Sequence, residues 1–266
     1  MSIVNHAESV ELQYADDKNF TIRGLLHAKY STSKQDMYSW LFDQYSFSEH
    51  YSILELGCGN GAQWEKNIER LPYGCSLSLT DISEGMIDIV TEKYALTNTN
   101  VTCEKMDIQA IKFENESFDI VMANHMLYHV PDLEKALSEV CRVLKTGGVF
   151  YATTLGNNGM ALYIHNALKI FDPETTAFLE RYAFSLQNGR DILSHHFTNV
   201  KRIDFADSLA ITSTQDLMNW IASTMFDAEL STDTLKSLTD YFEAIRARDG
   251  VINVPKEIGL FICVKS

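Results

Sequence analysis

The residues most able to hold a ligand form the run Glu55-Leu56-Gly57-Cys58-Gly59-Asn60-Gly61-Ala62. Alternate glycines permit a sharp turn and let backbone come close to a bound molecule, because no Cβ intervenes. Two ligand chemistries use such a loop. Through Gly57, Gly59 and Ala62 the run satisfies the G-x-G-x-x-G/A pattern that seats a pyrophosphate, and Asp81 lies at about the distance expected of a ribose contact. Glu55 decides between them. A carboxylate two residues before the first glycine raises the energy of a pyrophosphate and lowers that of a cation, by about 1 kcal/mol or more. A ligand carrying a protonated amine and a sulfonium, S-adenosylmethionine, therefore suits the loop better than a nicotinamide dinucleotide.

The elements that must position this loop are legible in the apolar pattern. Short apolar runs at 51–56, 77–80, 101–105, 118–123 and 149–154 read as strands, and the segments 60–70, 83–94 and 133–144 between them read as helices. Such alternation implies parallel strands with right-handed crossovers, hence an α/β, doubly wound Rossmann-like sheet. The runs 200–211 and 251–264 supply two later strands, the final one expected to be antiparallel. Residues 1–50 read as a helical N-terminal arm, with helices at 22–30 and 34–45, ahead of a domain at 51–266. Helical stretches at 156–196 and 214–248 follow the fifth strand, where folds of this type bind ligands, and read as a cap.

Composition bounds the function. The 266 residues carry 22 Lys+Arg against 36 Asp+Glu, a formal charge of −14, which disfavours binding to a phosphate backbone and favours a small-molecule partner. The five cysteines are widely spaced and suggest neither a disulfide framework nor a zinc site. No run of 18 apolar residues and no signal-peptide pattern is visible, so the expectation is a cytoplasmic protein that does not enter a membrane, as a monomer or homodimer.

Glu55 to Gly61 resembles motif I of the class I S-adenosylmethionine-dependent methyltransferases, E/D-x-G-x-G-x-G. Further blocks of that family follow in order: Leu79-Thr80-Asp81-Ile82-Ser83, Met106-Asp107-Ile108, Ser117-Phe118-Asp119-Ile120-Val121 with the loop Asn124-His125-Met126-Leu127-Tyr128-His129, and Leu144-Lys145-Thr146-Gly147-Gly148. The resemblance covers roughly residues 50–155. It implies the cofactor S-adenosyl-L-methionine, held by Glu55, Gly57, Cys58, Gly59 and Asn60 on the glycine loop. Asp81 would accept the ribose hydroxyls, with Ile82 and Met86 beside it, and Asp107 and Ile108 would flank adenine. Asn124 and His125 complete the implied cofactor set. The segment from Arg23 to Thr32 is similar to the opening of a small bacterial methyltransferase subgroup, which implies no particular acceptor.

Displacement at a sulfonium has an activated leaving group, so alignment and exclusion of water matter most and a base is optional. His129 is the candidate catalytic residue, since a histidine there often borders the methyl-transfer pocket in the family; a packing role is an equal alternative. His125 and His129 are four apart and would share a helix face, but nothing nearby completes a metal set, so no metal is expected. Asn124 lacks the prolines and aromatic of the N/D-P-P-Y box. Tyr14, Arg23, His27 and Tyr30, with Tyr128, are candidates for a lid or acceptor contact, whereas Met37, Trp40, Leu41 and Phe42 read as packing. The expectation is methyl transfer to a small molecule; a binding or regulatory protein and a protein methyltransferase are the alternatives.

Overall fold

A computed structural model describes residues 18–179, 182–224 and 230–266, with side chains from Gly24 onward. In chain order the elements are α1 (Lys18–Tyr30), α2 (Met37–Gln44), β1 (Ser52–Leu56), β2 (Ser76–Asp81), α3 (Glu84–Tyr94), β3 (Asn100–Lys105), β4 (Phe118–Asn124), α4 (Leu133–Val143) and β5 (Leu144–Leu155). They continue with α5 (Met160–Leu168), α6 (Gly189–Ser194), β6 (Thr198–Phe205), β7 (Ser208–Ile211), α7 (Thr214–Thr224), α8 (Thr232–Asp249), β8 (Ile252–Pro255) and β9 (Ile258–Val264).

Seven strands form one sheet in the order β3-β2-β1-β4-β5-β9-β6. The first five are parallel, and β9 runs antiparallel to both of its neighbours. This is the doubly wound, Rossmann-like sheet expected from the strand and helix alternation. Its strand order reverses between β1 and β4, so the crevice at their carboxyl ends is the natural ligand site. Alternate side chains of the central strands supply two cores. Leu54, Val121 and Phe150 pack on one face with Ala136, Leu137 and Val140 of α4, while Ile53, Met122 and Tyr151 pack on the other with Leu41, Phe42 and Val90. Helices start where side chains cap them: Ser83 accepts from Met86 N–H and Asp132 from Lys135 N–H.

The described side chains of the first 50 residues divide between two clusters. Leu41 and Phe42 of α2 belong to a sheet face, whereas Leu26 and Tyr30 of α1 join a third core built from α5, α7, α8, β7 and β8. That third core takes in parts of both segments read as a cap, together with α1, β7 and β8. Among the described residues of 156–196 only α5 and α6 are α-helical; Pro173 lies soon after α5, and a residue before proline is turned away from helical geometry.

Two further expectations are corrected. The segment 60–70 is not an α-helix but two 3₁₀ turns, Ala62–Trp64 and Ile68–Arg70, entered through Gly61 at φ 73°. The side chains of Gln63 and Asn67 donate to the Tyr38 carbonyl at 3.1 and 3.2 Å, holding this tighter winding against α2. The runs 200–211 and 251–264 each break in two. Their halves β6 and β9 pair in the main sheet, while β7 and β8 pair separately, with Ser208 opposite Pro255. The break falls at Asp207, whose carboxylate accepts from the Thr32, Ser33 and Ser208 N–H groups and from Lys256 at the opposite corner. A carboxylate drawn inward by those donors cannot sit in a continuing ladder.

Candidate active site

The loop leaving β1 is shaped by three glycines at positive φ, of which two are explained by packing. A Cβ on Gly57 (φ +69°) would lie 2.9 Å from Met126, and one on Gly61 would lie 2.8 Å from Tyr94. Gly59 also has positive φ but faces open space, so its missing side chain leaves room for a ligand.

Glu55 sits near the end of β1 and is 1% exposed. Its Oε2 accepts from Trp64 Nε1 at 2.6 Å and its Oε1 from Asn124 Nδ2 at 3.0 Å, both neutral donors. Asn124 is fixed in that orientation because its Oδ1 accepts from Thr153 Oγ1 at 2.8 Å and from the Tyr45 hydroxyl at 3.1 Å. Burial raises the Glu55 pKa to about 7, the two hydrogen bonds offsetting only part of the cost. A buried carboxylate with only neutral partners would be stabilised by a cation placed beside it.

Asp81, at the end of β2, accepts from Gly59 N–H on one oxygen and Ser83 N–H on the other, each at 2.9 Å. Burial raises its pKa as well. It therefore ties the glycine loop to the start of α3. Asp107 caps the 3₁₀ turn Ile108–Ala110 by accepting from Gln109 N–H at 2.8 Å.

These groups surround one cavity of about 280 Å³. Glu55, Gly57, Cys58, Gly59 and Asn60 form one side, Asp81, Ile82 and Met86 another, and Asp107 and Ile108 a third. Asn124, His125, Tyr128 and His129 close it from the loop after β4. The sequence-assigned cofactor set is thus brought together whole.

A second cavity of about 590 Å³ adjoins the first, and the two share Tyr38, Ala62 and His125. His27 lines it, but Tyr30 does not: its ring is buried in the cap core and its hydroxyl donates to Asp216 at 2.7 Å. Tyr14 and the side chain of Arg23 lie outside the described residues. Tyr128 lines the smaller cavity and packs against Tyr182, a residue of the larger one, with ring centroids 5.3 Å apart.

His125 and His129 do not share a helix face. His125 has φ +56° and donates its N–H to the Thr153 carbonyl, while His129 belongs to the following 3₁₀ turn Leu127–His129. His125 borders both cavities, and His129 only the smaller. Burial, with the charge of Lys256 adding, lowers the His125 pKa to about 4, so its imidazole is neutral at pH 7. Its Nε2 lies 3.3 Å from the Met37 sulfur. The sequence reading did not find Trp64, which orients Glu55, nor Asp207, Trp220, Lys256 and Glu257 around the larger cavity. Those residues come from distant segments that carry no local pattern.

Residues 54–152, which run from β1 into β5, match the family of methyltransferase domains. Together with the strand order, this match shows a Rossmann-like methyltransferase fold and makes that stretch similar to the class I S-adenosylmethionine-dependent methyltransferases. Similar proteins include a sterol 4-C-methyltransferase of Caenorhabditis elegans, 28% identical over 124 residues, 46% of this chain and 36% of that one. A ubiquinone biosynthesis O-methyltransferase of Coxiella burnetii is 26% identical over 106 residues, 40% and 44% of the two chains. The matched stretch therefore spans under half of each of these relatives. The phosphoethanolamine N-methyltransferase 2 of Haemonchus contortus, solved with S-adenosyl-L-methionine, superposes with a TM-score of 0.57 at 17% identity, covering 94% of this chain and 57% of that one. That likeness is one of fold.

Proposed function

We propose that the protein transfers a methyl group from S-adenosylmethionine to a small molecule bound in the larger cavity. The observation that carries this reading is the junction of the two cavities at Tyr38, Ala62 and His125. When bound, the cofactor supplies a methyl group on a sulfonium, and the chain's own residues then have to seat, align and dehydrate the reactants. Glu55 offers a buried carboxylate for the amine, Asp81 for the ribose hydroxyls, and Asp107 lies where adenine would be flanked. A protein that only bound the cofactor would need no space beside the sulfonium, so the adjoining 590 Å³ favours an enzyme.

His125 serves better as a positioning wall than as a base. With a pKa near 4 it takes up a proton poorly at neutral pH, which favours acceptors that attack without prior loss of a proton. His129, beside the smaller cavity, is assigned to the cofactor side. Calorimetry should show binding of S-adenosylmethionine but not of a nicotinamide dinucleotide. Release of S-adenosylhomocysteine over a panel of amines, phenols and carboxylates then tests turnover; binding without release from any member would favour the regulatory alternative.

A further inference from the structure

We propose that the larger cavity selects an acceptor with an apolar body and a cationic group, the cation being held by Glu257 and anionic acceptors being refused. This rests on the reading of that cavity as the acceptor site. Among the described residues lining it are four carboxylates, Asp36, Glu65, Asp207 and Glu257, against two cations, Lys66 and Lys256. Both cations are already engaged: Lys66 lies 3.5 Å from Asp36, and Lys256 forms a buried pair with Asp207. Glu65 is satisfied from outside the cavity by Lys93 at 2.7 Å.

Glu257 differs from the other three. It accepts from Asn158 N–H at 2.8 Å, Asn158 Nδ2 at 3.4 Å and Gln187 Nε2 at 3.2 Å, all neutral donors. Those bonds fix the carboxylate without neutralising it. The two histidines of the cavity wall add no positive charge at pH 7, because burial holds both near a pKa of 4. A carboxylate or phosphate entering this space would meet excess negative charge and no unpaired described cation; an ammonium would meet the reverse. Trp220 and Phe205 line the same space and offer apolar area. The Trp220 indole N–H has no hydrogen-bond partner among the described residues, so an acceptor oxygen reaching it would relieve an unsatisfied donor.

The cation is a recognition handle and not the methylated atom. An ammonium has no lone pair with which to attack. Glu257 precedes β9, and the Gly156 N–H at the end of β5 donates to its carbonyl; His125 follows β4, two strands away, or about 10 Å at ordinary strand spacing. A molecule bridging that span would present a second group at the cavity junction.

The test uses three probes with one phenol and different tails: tyramine, its alcohol analogue tyrosol, and 4-hydroxyphenylacetate. Binding is measured by calorimetry on the full chain saturated with S-adenosylhomocysteine. Tyramine should bind roughly two- to fivefold more tightly than tyrosol, with 4-hydroxyphenylacetate weakest, as expected of one partly exposed ion pair. Glu257→Gln, which keeps an acceptor oxygen for Asn158, should abolish the preference for tyramine, and Glu257→Lys should turn it toward 4-hydroxyphenylacetate; retained S-adenosylhomocysteine affinity checks folding. No tyramine binding, equal binding of the three, or a preference unchanged in Glu257→Gln overturns the proposal. If either variant fails to fold, the wild-type ranking still decides. A chain that does not bind S-adenosylhomocysteine at all instead overturns the proposed function.

Discussion

Glu55 concentrates the chemistry of the smaller cavity in one side chain. Its carboxyl stands at about 7 instead of the ordinary 4.5 because burial penalises the charged form. The raised value means that below pH 7 the group is mostly protonated, and a ligand amine must then displace that proton to gain its partner. Affinity for S-adenosylhomocysteine should accordingly weaken as pH falls from 7 toward 5, approaching tenfold per unit, and Glu55→Gln should flatten the profile. Calorimetry at several pH values checks this, and an affinity independent of pH in the wild type would remove the amine from Glu55. Asp81 has a double task, since it holds the Gly59 and Ser83 N–H groups and faces the same cavity. Charged hydrogen bonds are worth about 1.5–3 kcal/mol, so Asp81→Ala should weaken cofactor binding roughly ten- to a hundredfold. An unchanged titration would show that ribose is held elsewhere.

At the scale of elements, the β1 to β5 frame and its glycine loop were readable in the sequence because β1, β2 and β4 are short, largely buried runs, the intervening segments carry helical spacing, and each loop residue has a local signature. The 3₁₀ winding of 60–70 was not, since its apolar spacing also suits an α-helix and the choice depends on Tyr38, more than twenty residues earlier. Nor was the division of β6 from β7, which depends on donors from residues 31–33 and 256. The glycine loop yields a direct test. Gly57→Val would add a branched side chain at φ +69° and drive it into Met126, costing about 1–2 kcal/mol in backbone conformation before any clash. Reduced stability with loss of cofactor binding is expected; a folded variant that still binds would take the loop out of the site. The Asp207 corner yields another. Burial pushes its carboxyl upward, but hydrogen bonds from Lys256 and Ser31 outweigh that and hold it below the usual range. Asp207→Ala would leave Lys256 buried and unpaired, a loss of about 3–5 kcal/mol in a urea titration. Adding Lys256→Met should recover much of it, and a double variant as unstable as the single one would place the cost in the backbone contacts instead.

The whole molecule joins a sheet domain to a cap across the larger cavity, and each side contributes one neutral histidine to its wall. His27 comes from α1 of the cap and His125 from the loop after β4, both held near a pKa of 4 by burial, with Lys256 adding to the shift. For a histidine depressed from 6.5 to 4, the unfolded chain takes up protons that the folded chain refuses. Stability contributed by keeping it neutral is complete above pH 6.5 and declines as pH falls toward 4, by about 1.4 kcal/mol per unit for each residue. Glu55 acts in the opposite sense. Its raised pKa makes the unliganded fold relatively more stable as pH falls from 7 to 4.5, with a similar slope. Two histidines against one carboxyl leave a net loss of stability between pH 6.5 and 5. Replacing both, His27→Gln with His125→Asn, the latter chosen because asparagine tolerates φ +56°, should leave Glu55 dominant and reverse the sign. Urea midpoints at pH 6.5, 5.7 and 5.0 would read it directly: falling with acid in the wild type, rising in the double variant. A double variant that falls as steeply as the wild type would mean that the acid sensitivity does not originate in the histidines of the cavity wall.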